Sequence, residues 1–263
     1  MPVTIADLAA MKARRERFVM LTAYDALTAR VLDEAGIPLL LVGDTLGMVV
    51  LGHDSTLPVT MEDALTFTAA VARGARNAIV VGDLPFGSYQ VSTAEAVRNA
   101  ARLMRVGANA VKLEGGTRSV KAISKMTRAG IPVMGHLGLT PQSVNALGGY
   151  RVQGRGERGE QLLAEARELQ EAGCFALVLE AIPAELGTRV TQALEIPTIG
   201  IGAGPGTDAQ VLVISDLIGL TPDPVPRFVK RYADLRSILT EAAQHFAKDV
   251  GEGHYPAPEH QYH

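Results

Sequence analysis

The chain has 263 residues, with 28 acidic against 25 basic side chains, a formal net charge of −3 and a hydrophobic fraction of 47%. That length suits one large α/β barrel or two modest domains, and the apolar content supports a substantial core. The balance excludes the basic stripe of a dedicated nucleic-acid binder. The single cysteine excludes an internal disulfide framework, and no apolar run approaches the roughly 20 residues of a membrane span.

The start lacks an apolar signal region, so a cytoplasmic protein is expected. Thr4 to Arg15 reads as a short amphipathic helix with Thr4 as N-cap, placed to plug the bottom of a barrel. Strands are then predicted at 18–24, 39–44, 78–83, 110–114, 132–138, 175–180, 197–202 and 210–215. Helices are predicted between them at 26–36, 61–73, 93–106, 119–129, 157–172 and 183–193, and a closing helix at 227–248. The segment 140–156 reads as a long loop. Eight strands in about 250 residues, apolar on both faces, give the period of a single-domain (β/α)8 TIM barrel over 1–263 with a short N-terminal helix. A doubly wound sheet is the alternative, but Tyr24-Asp-Ala26 is no dinucleotide fingerprint. Residues 251–263 form a Pro- and His-rich C-terminal tail.

Charge falls at the strand ends. The second predicted strand closes with Asp44, the third with Asp83, the fourth with Lys112 and Glu114, and the sixth with Glu180. Strand alternation puts Val111 and Leu113 on one face and Lys112 and Glu114 on the other. In a barrel these ends share one mouth, where several carboxylates need a cation or stay protonated. Asp44, Asp83 and Glu114 come from neighbouring strands, so their oxygens can meet at one point. Hard oxygen donors without cysteine suit Mg²⁺, which could polarise a bound keto acid. The plainer reading of any one Asp is a helix cap.

Glu180, ending Leu-Val-Leu, is read as a general base in an apolar wall, or else as the partner of a Lys or Arg. Lys112 could bind a substrate carboxylate or keto oxygen as well as balance Glu114. His136 is either a satisfied core histidine or a polar contact to substrate. His53 is a weaker candidate, and the histidines at 254, 260 and 263 mark a solvated end. The stretch Gly200 to Gly206 is either a phosphate loop or tight backbone packing. Cys174, before an apolar strand, is read as buried packing.

An ordered set of motifs carries a resemblance. It comprises Thr22-Ala-Tyr-Asp25, Val42-Gly-Asp-Thr-Leu-Gly-Met48, Val81-Gly-Asp-Leu-Pro-Phe-Gly87, Val111-Lys-Leu-Glu-Gly115, Gly135-His-Leu-Gly-Leu-Thr-Pro-Gln142, Gly148-Gly-Tyr-Arg-Val-Gln-Gly-Arg155, Val178-Leu-Glu180, Gly200-Ile-Gly-Ala-Gly204 and Tyr255-Pro-Ala-Pro-Glu-His260. Over nearly its whole length the chain resembles the ketopantoate hydroxymethyltransferase family. The resemblance implies a (β/α)8 barrel that transfers a one-carbon unit from 5,10-methylenetetrahydrofolate to 3-methyl-2-oxobutanoate. The product is 2-dehydropantoate, for pantothenate and coenzyme A synthesis, formed through a Mg²⁺-stabilised enolate. It implies Mg²⁺ at Asp44, Asp83 and Glu114, keto-acid contacts from Asp44, Thr45, Asp83 and Lys112, and Glu180 as proton acceptor. Thr45 stands where the family usually has Ser. A homo-oligomer, a homodecamer in bacterial relatives, is implied too, with small-molecule substrates and neither nucleic acid nor membrane as partners. The folate site is expected against the loop 140–156. The weighed alternatives are another Mg²⁺-dependent barrel acting on 2-oxo acids, such as a lyase or phosphoenolpyruvate mutase relative, and a non-catalytic keto-acid or folate sensor.

Overall fold

A computed structural model describes residues 2–262, in two compact units that divide after Val213. The first unit opens with α1 (Ile5–Ala13), capped by Thr4 in a reciprocal box with Asp7. There follow β1 (Phe18–Thr22), α2 (Ala26–Glu34), β2 (Leu39–Val42), α3 (Leu46–Val49), α4 (Met61–Gly74), β3 (Ile79–Asp83), α5 (Thr93–Arg105), β4 (Ala110–Lys112), α6 (Val120–Arg128), β5 (Val133–Gly138), α7 (Val144–Leu147), α8 (Glu157–Glu171), β6 (Ala176–Glu180), α9 (Ala184–Ala193), β7 (Thr198–Ile201) and β8 (Ala209–Leu212).

The eight strands pair in sequence order, all parallel, and close when β1 pairs with β8, Phe18 lying opposite Ala209 and Leu21 opposite Leu212. The expected barrel is what the chain forms. Its interior is filled by Met20, Leu39, Leu41, Ile79, Val81, Met134, Val178 and Ile199, and Leu8 of α1 joins that cluster, so α1 plugs the bottom as expected. Lys12 fastens the plug by donating to Asp208 at 2.8 Å and to the Thr191 carbonyl at 3.0 Å. A second apolar layer, including Leu103, Leu113, Ile123, Met126, Leu169 and Leu177, lies between strands and helices. Side-chain caps start the helices: Asp25 accepts from the amides of Leu27 and Thr28, Thr60 from Asp63 and Ser92 from Glu95.

Several boundaries differ from the sequence reading: β1, β2 and β4 each stop two residues short, at Thr22, Val42 and Lys112. β8 ends at Leu212, because β1 offers no register partner beyond Leu21, and the chain turns at once into a short helix, α10 (Ile214–Leu217), which opens the second unit. The closing helix α11 (Leu235–Gly251) starts eight residues later than Arg227, where Asp234 accepts from the Ser237 amide and sets the N-terminus. The predicted loop 140–156 contains a 3₁₀ turn at Pro141–Ser143 and α7. Proline at the first position of that turn costs no hydrogen bond. The tail from 251 onward, with exposed His254 and His260, ends the second unit; position 263 lies outside the described residues. Among the described residues no helix is long and apolar enough to cross a membrane.

Candidate active site

Because β2 and β4 stop at Val42 and Lys112, Asp44 and Glu114 sit just past strand ends, while Asp83 and Glu180 close β3 and β6. All four line one chamber at the C-terminal end of the barrel, with Thr45, Lys112, His136 and Pro141. Asp44, Thr45, Asp83, Lys112, Glu114, His136 and Glu180 are therefore brought together. His53 is exposed and does not line the chamber. Gly204 and Gly206 are explained by packing, since a Cβ there would collide with Ala184 and Thr188 respectively. Cys174 is a free, buried thiol, and burial pushes its pKa up to about 12.

The chamber sets four carboxylates against one lysine and one histidine. Lys112 Nζ lies 2.6 Å from Asp83 Oδ2, and both side chains are nearly fully buried. The Asp44 amide donates to the same Asp83 oxygen at 3.3 Å. Asp44 Oδ2 accepts from Gln142 Nε2 at 2.9 Å, and Glu114 Oε2 accepts from the Gln142 amide at 3.0 Å. Burial, then the charges of Asp83 and Glu114, push Asp44 up to about 8. Burial likewise raises Asp83 against the pull of Lys112. For Lys112 burial acts downward but is outweighed by Asp83, Glu114 and Asp44, so its pKa rises.

His136 stands between two carboxylates. Its Nδ1 is 3.5 Å from Glu114 Oε1 and its Nε2 is 3.2 Å from Glu180 Oε2, neither contact being aligned as a hydrogen bond. Burial works against the imidazolium, but Glu114 and Glu180 outweigh it and raise His136 to about 9. The apolar wall expected around Glu180 also holds an imidazole: His136 and Glu180 both face the chamber from adjacent strands, Glu180 lying opposite Gly138, two residues beyond His136 in the β5–β6 register, so that the imidazole reaches up to the carboxylate. Gly138 keeps that geometry. It has φ of +96°, and a Cβ there would collide with the Glu180 carbonyl oxygen. Gly138→Ala is expected to cost about 1–3 kcal/mol of stability and to lower turnover several-fold. Thermal melting and kcat check this, and parent-like values of both would show that the two strand ends separate freely.

Asp83 Oδ1 and Glu114 Oε1 are buried without a hydrogen-bonding partner. Such oxygens, in a chamber with surplus negative charge and no thiolate, fit a hard divalent cation in chemistry. In this structure Lys112 and Gln142 hold the opposite oxygens of these carboxylates, and among the described residues no three His, Cys, Asp or Glu side chains already form a coordination group.

A pH dependence follows for the metal-free protein. His136 and Asp44 both bind protons more tightly when folded than at their ordinary values of 6.5 and 3.8. The His136 contribution is fully present below about 6.5 and is lost as pH rises through about 9. The Asp44 penalty grows from about 3.8 to about 8. Both terms have the same sign, so the melting temperature should fall from pH 5 to pH 9. Asp44→Asn should flatten the lower part of that fall; an equally steep profile in the variant would remove Asp44 as its source.

Sequence reasoning assigned no role to Gln142 or Tyr89, both buried in this network. Tyr89 Oη donates to Gln142 Oε1 at 2.7 Å and accepts from the Glu114 amide at 3.2 Å. The signal for Gln142 was its place after Pro141, where a tight turn fixes a polar side chain beside the strand ends. On the other side of that turn lies a cavity of about 490 Å³, walled by Thr140, Ser143, Leu147, Arg118, Arg158 and Glu165 among others.

A family model described as ketopantoate hydroxymethyltransferase matches residues 2–258. The 3-methyl-2-oxobutanoate hydroxymethyltransferase of Thermobifida fusca is 59% identical over 262 residues, covering 99% of this chain and 93% of that protein. The enzyme of the same name from Streptomyces avermitilis is 57% identical over 263 residues, covering 99% and 91%. Among solved structures, phosphonopyruvate hydrolase in complex with oxalate and Mg²⁺ superposes with a TM-score of 0.64 at 13% identity, over 98% of this chain and 93% of that one. A 2,3-dimethylmalate lyase of the phosphoenolpyruvate mutase/isocitrate lyase superfamily gives 0.62 at 19% identity, over 98% and 93%. At those identities the two structures share the fold alone, whereas the match in sequence runs nearly end to end: the chain belongs to the ketopantoate hydroxymethyltransferase family.

Proposed function

We propose that the chain transfers a hydroxymethyl unit from 5,10-methylenetetrahydrofolate to 3-methyl-2-oxobutanoate, giving 2-dehydropantoate for pantothenate and coenzyme A synthesis. The observation that supports it is the chamber itself, in a member of this family: oxygen donors, a buried lysine and a carboxylate at the barrel mouth suit a small 2-oxo acid. Lys112, Thr45, Asp44, Asp83 and His136 orient the keto acid. Glu180 removes the weakly acidic proton from its C3. The C3 carbon forms a bond to the donor's methylene carbon, both C–N bonds of that carbon break, one water supplies its hydroxyl, and the two released folate nitrogens take up the proton from C3 and the second proton of the water. Asp44, Asp83 and Glu114 would hold Mg²⁺, which supplies Lewis-acid stabilisation of negative charge on the keto oxygen. The folate lies against the segment 140–156. The same reading carries a cytoplasmic homo-oligomer, a decamer.

The lyase and mutase reading weighs less, since the solved barrels of that kind share only the fold with this chain. The test measures 2-dehydropantoate from the two substrates with Mg²⁺ and after chelation. Product only with the metal is expected. Metal-dependent C3 proton exchange without product would overturn the assigned donor while keeping the proton abstraction. Neither, in folded protein, would overturn the reading in favour of a keto-acid sensor.

A further inference from the structure

Gln142 occupies an unusual place. It lies on the turn after β5, is buried, and reaches across to the ends of three other strands. One side-chain amide hydrogen goes to Asp44 Oδ2 after β2, at 2.9 Å. The other goes to the Leu84 carbonyl after β3, at 3.0 Å. Its backbone amide goes to Glu114 Oε2 after β4, at 3.0 Å. Its oxygen accepts from Tyr89 Oη at 2.7 Å. Both donors and the acceptor are thus used, and a flipped amide would set oxygen against a carboxylate and a carbonyl. The turn is itself held: Ser143 N–H donates to the Thr140 carbonyl at 2.8 Å, and Arg118 donates to Ser143 Oγ at 2.7 Å.

The residue type matters at this position. Glutamate would add a like charge beside Asp44 and Glu114, and asparagine is one methylene too short to keep the same reach. A long side-chain amide reaches Asp44 and the Leu84 carbonyl without adding charge, while the backbone amide of the same residue holds Glu114. The outcome is directional: each of Asp44 and Glu114 has one oxygen tied to Gln142, and Glu114 Oε1 stays without a hydrogen bond.

We propose that Gln142 is a positioning residue of the reaction: it holds Asp44 and Glu114 at a fixed separation so that their remaining oxygens serve metal and keto acid. It touches neither reacting atom and acts through the two carboxylates. The inference rests on the proposed reaction for its kinetic arm but not for its metal-binding arm.

Gln142→Met preserves length and removes the amide. Two readouts are taken on the full chain: Mn²⁺ affinity without substrates, from the free-ion paramagnetic resonance signal, and C3 hydrogen exchange of 3-methyl-2-oxobutanoate in D₂O at saturating metal. Hydrogen bonds that orient ligands of a metal are typically worth about 10–100-fold, so affinity and exchange should each fall at least about tenfold. Tyr89→Phe keeps Gln142 but removes the shorter hydrogen bond to its oxygen, leaving that from Gln90 Nε2 at 3.4 Å, and should move both readouts the same way by a smaller factor. It also serves if Gln142→Met does not fold. Parent-like Mn²⁺ affinity and exchange in a folded variant, whatever its melting temperature, would reduce Gln142 to a structural cross-link and overturn the proposal. A parent protein that binds Mn²⁺ but exchanges no C3 hydrogen would overturn the proposed reaction instead, and the affinity arm would still decide the role of Gln142.

Discussion

Glu180→Gln should abolish most turnover, by about 10²–10⁴-fold, the usual worth of a positioned general base, while keto-acid affinity stays within about twofold of the parent. The substitution is nearly isosteric. It keeps the side chain at the end of β6, 3.2 Å from His136 in the parent, and removes only the capacity to take a proton. Glu180 is also the most accessible carboxylate of the four, its side chain 17% exposed against 1% for Glu114. A base that must lose its proton each cycle needs that route to solvent. The measurement is C3 exchange in D₂O beside full turnover, with keto-acid binding by calorimetry. Loss of both rates with binding kept supports the role. Near-normal exchange would remove Glu180 from it.

Lys112→Met should destabilise the metal-free protein by about 3–5 kcal/mol, the cost of leaving a buried charge without its partner, which lowers the melting temperature by on the order of 10 °C for a chain of this size. Lys112 and Asp83 are 4% and 2% exposed and 2.6 Å apart. Without the ammonium, Asp44, Asp83 and Glu114 face one another with hydrogen bonds and, beside Glu114, the His136 imidazole as their remaining support. Mg²⁺ should then raise the melting temperature of the variant more than that of the parent, because binding to the folded state alone stabilises it by linkage. Thermal scans in chelator and in Mg²⁺ test both statements. A parent-like melting point in chelator would mean that the carboxylates of the folded parent are protonated and need no ammonium.

The barrel was legible because its signal is repeated. Eight apolar runs with charge at their ends leave few topologies, and the alternation of Val111, Lys112, Leu113 and Glu114 already separates the outer layer from the chamber. The chamber residues were legible for the same reason, since parallel strands deliver their last side chains to one end. What was not legible depends on pairing between distant segments. The end of β8 at Leu212 is set by where β1 stops, and the start of α11 by a cap at Asp234 that competes with a periodic pattern running further upstream. The His136–Glu180 contact needs the β5–β6 register, and the span from Gln142 to Asp44 crosses 98 positions of sequence. Local patterns carry no distance of that kind.

Closure of the barrel also has a consequence in time. β1 meets β8, and Lys12 meets Asp208, 196 positions later. A ribosome adding about 5–20 residues per second makes the second partner on the order of 10–40 s after the first. Through that interval the first strand has one open edge and the interior residues of the growing half-barrel have nothing to close over them. Assembly is therefore governed by long-range pairing rather than by local helix formation, which makes it slow for its size. The nascent chain must stay soluble with Met20, Leu39 and Ile79 uncovered until its last strand emerges.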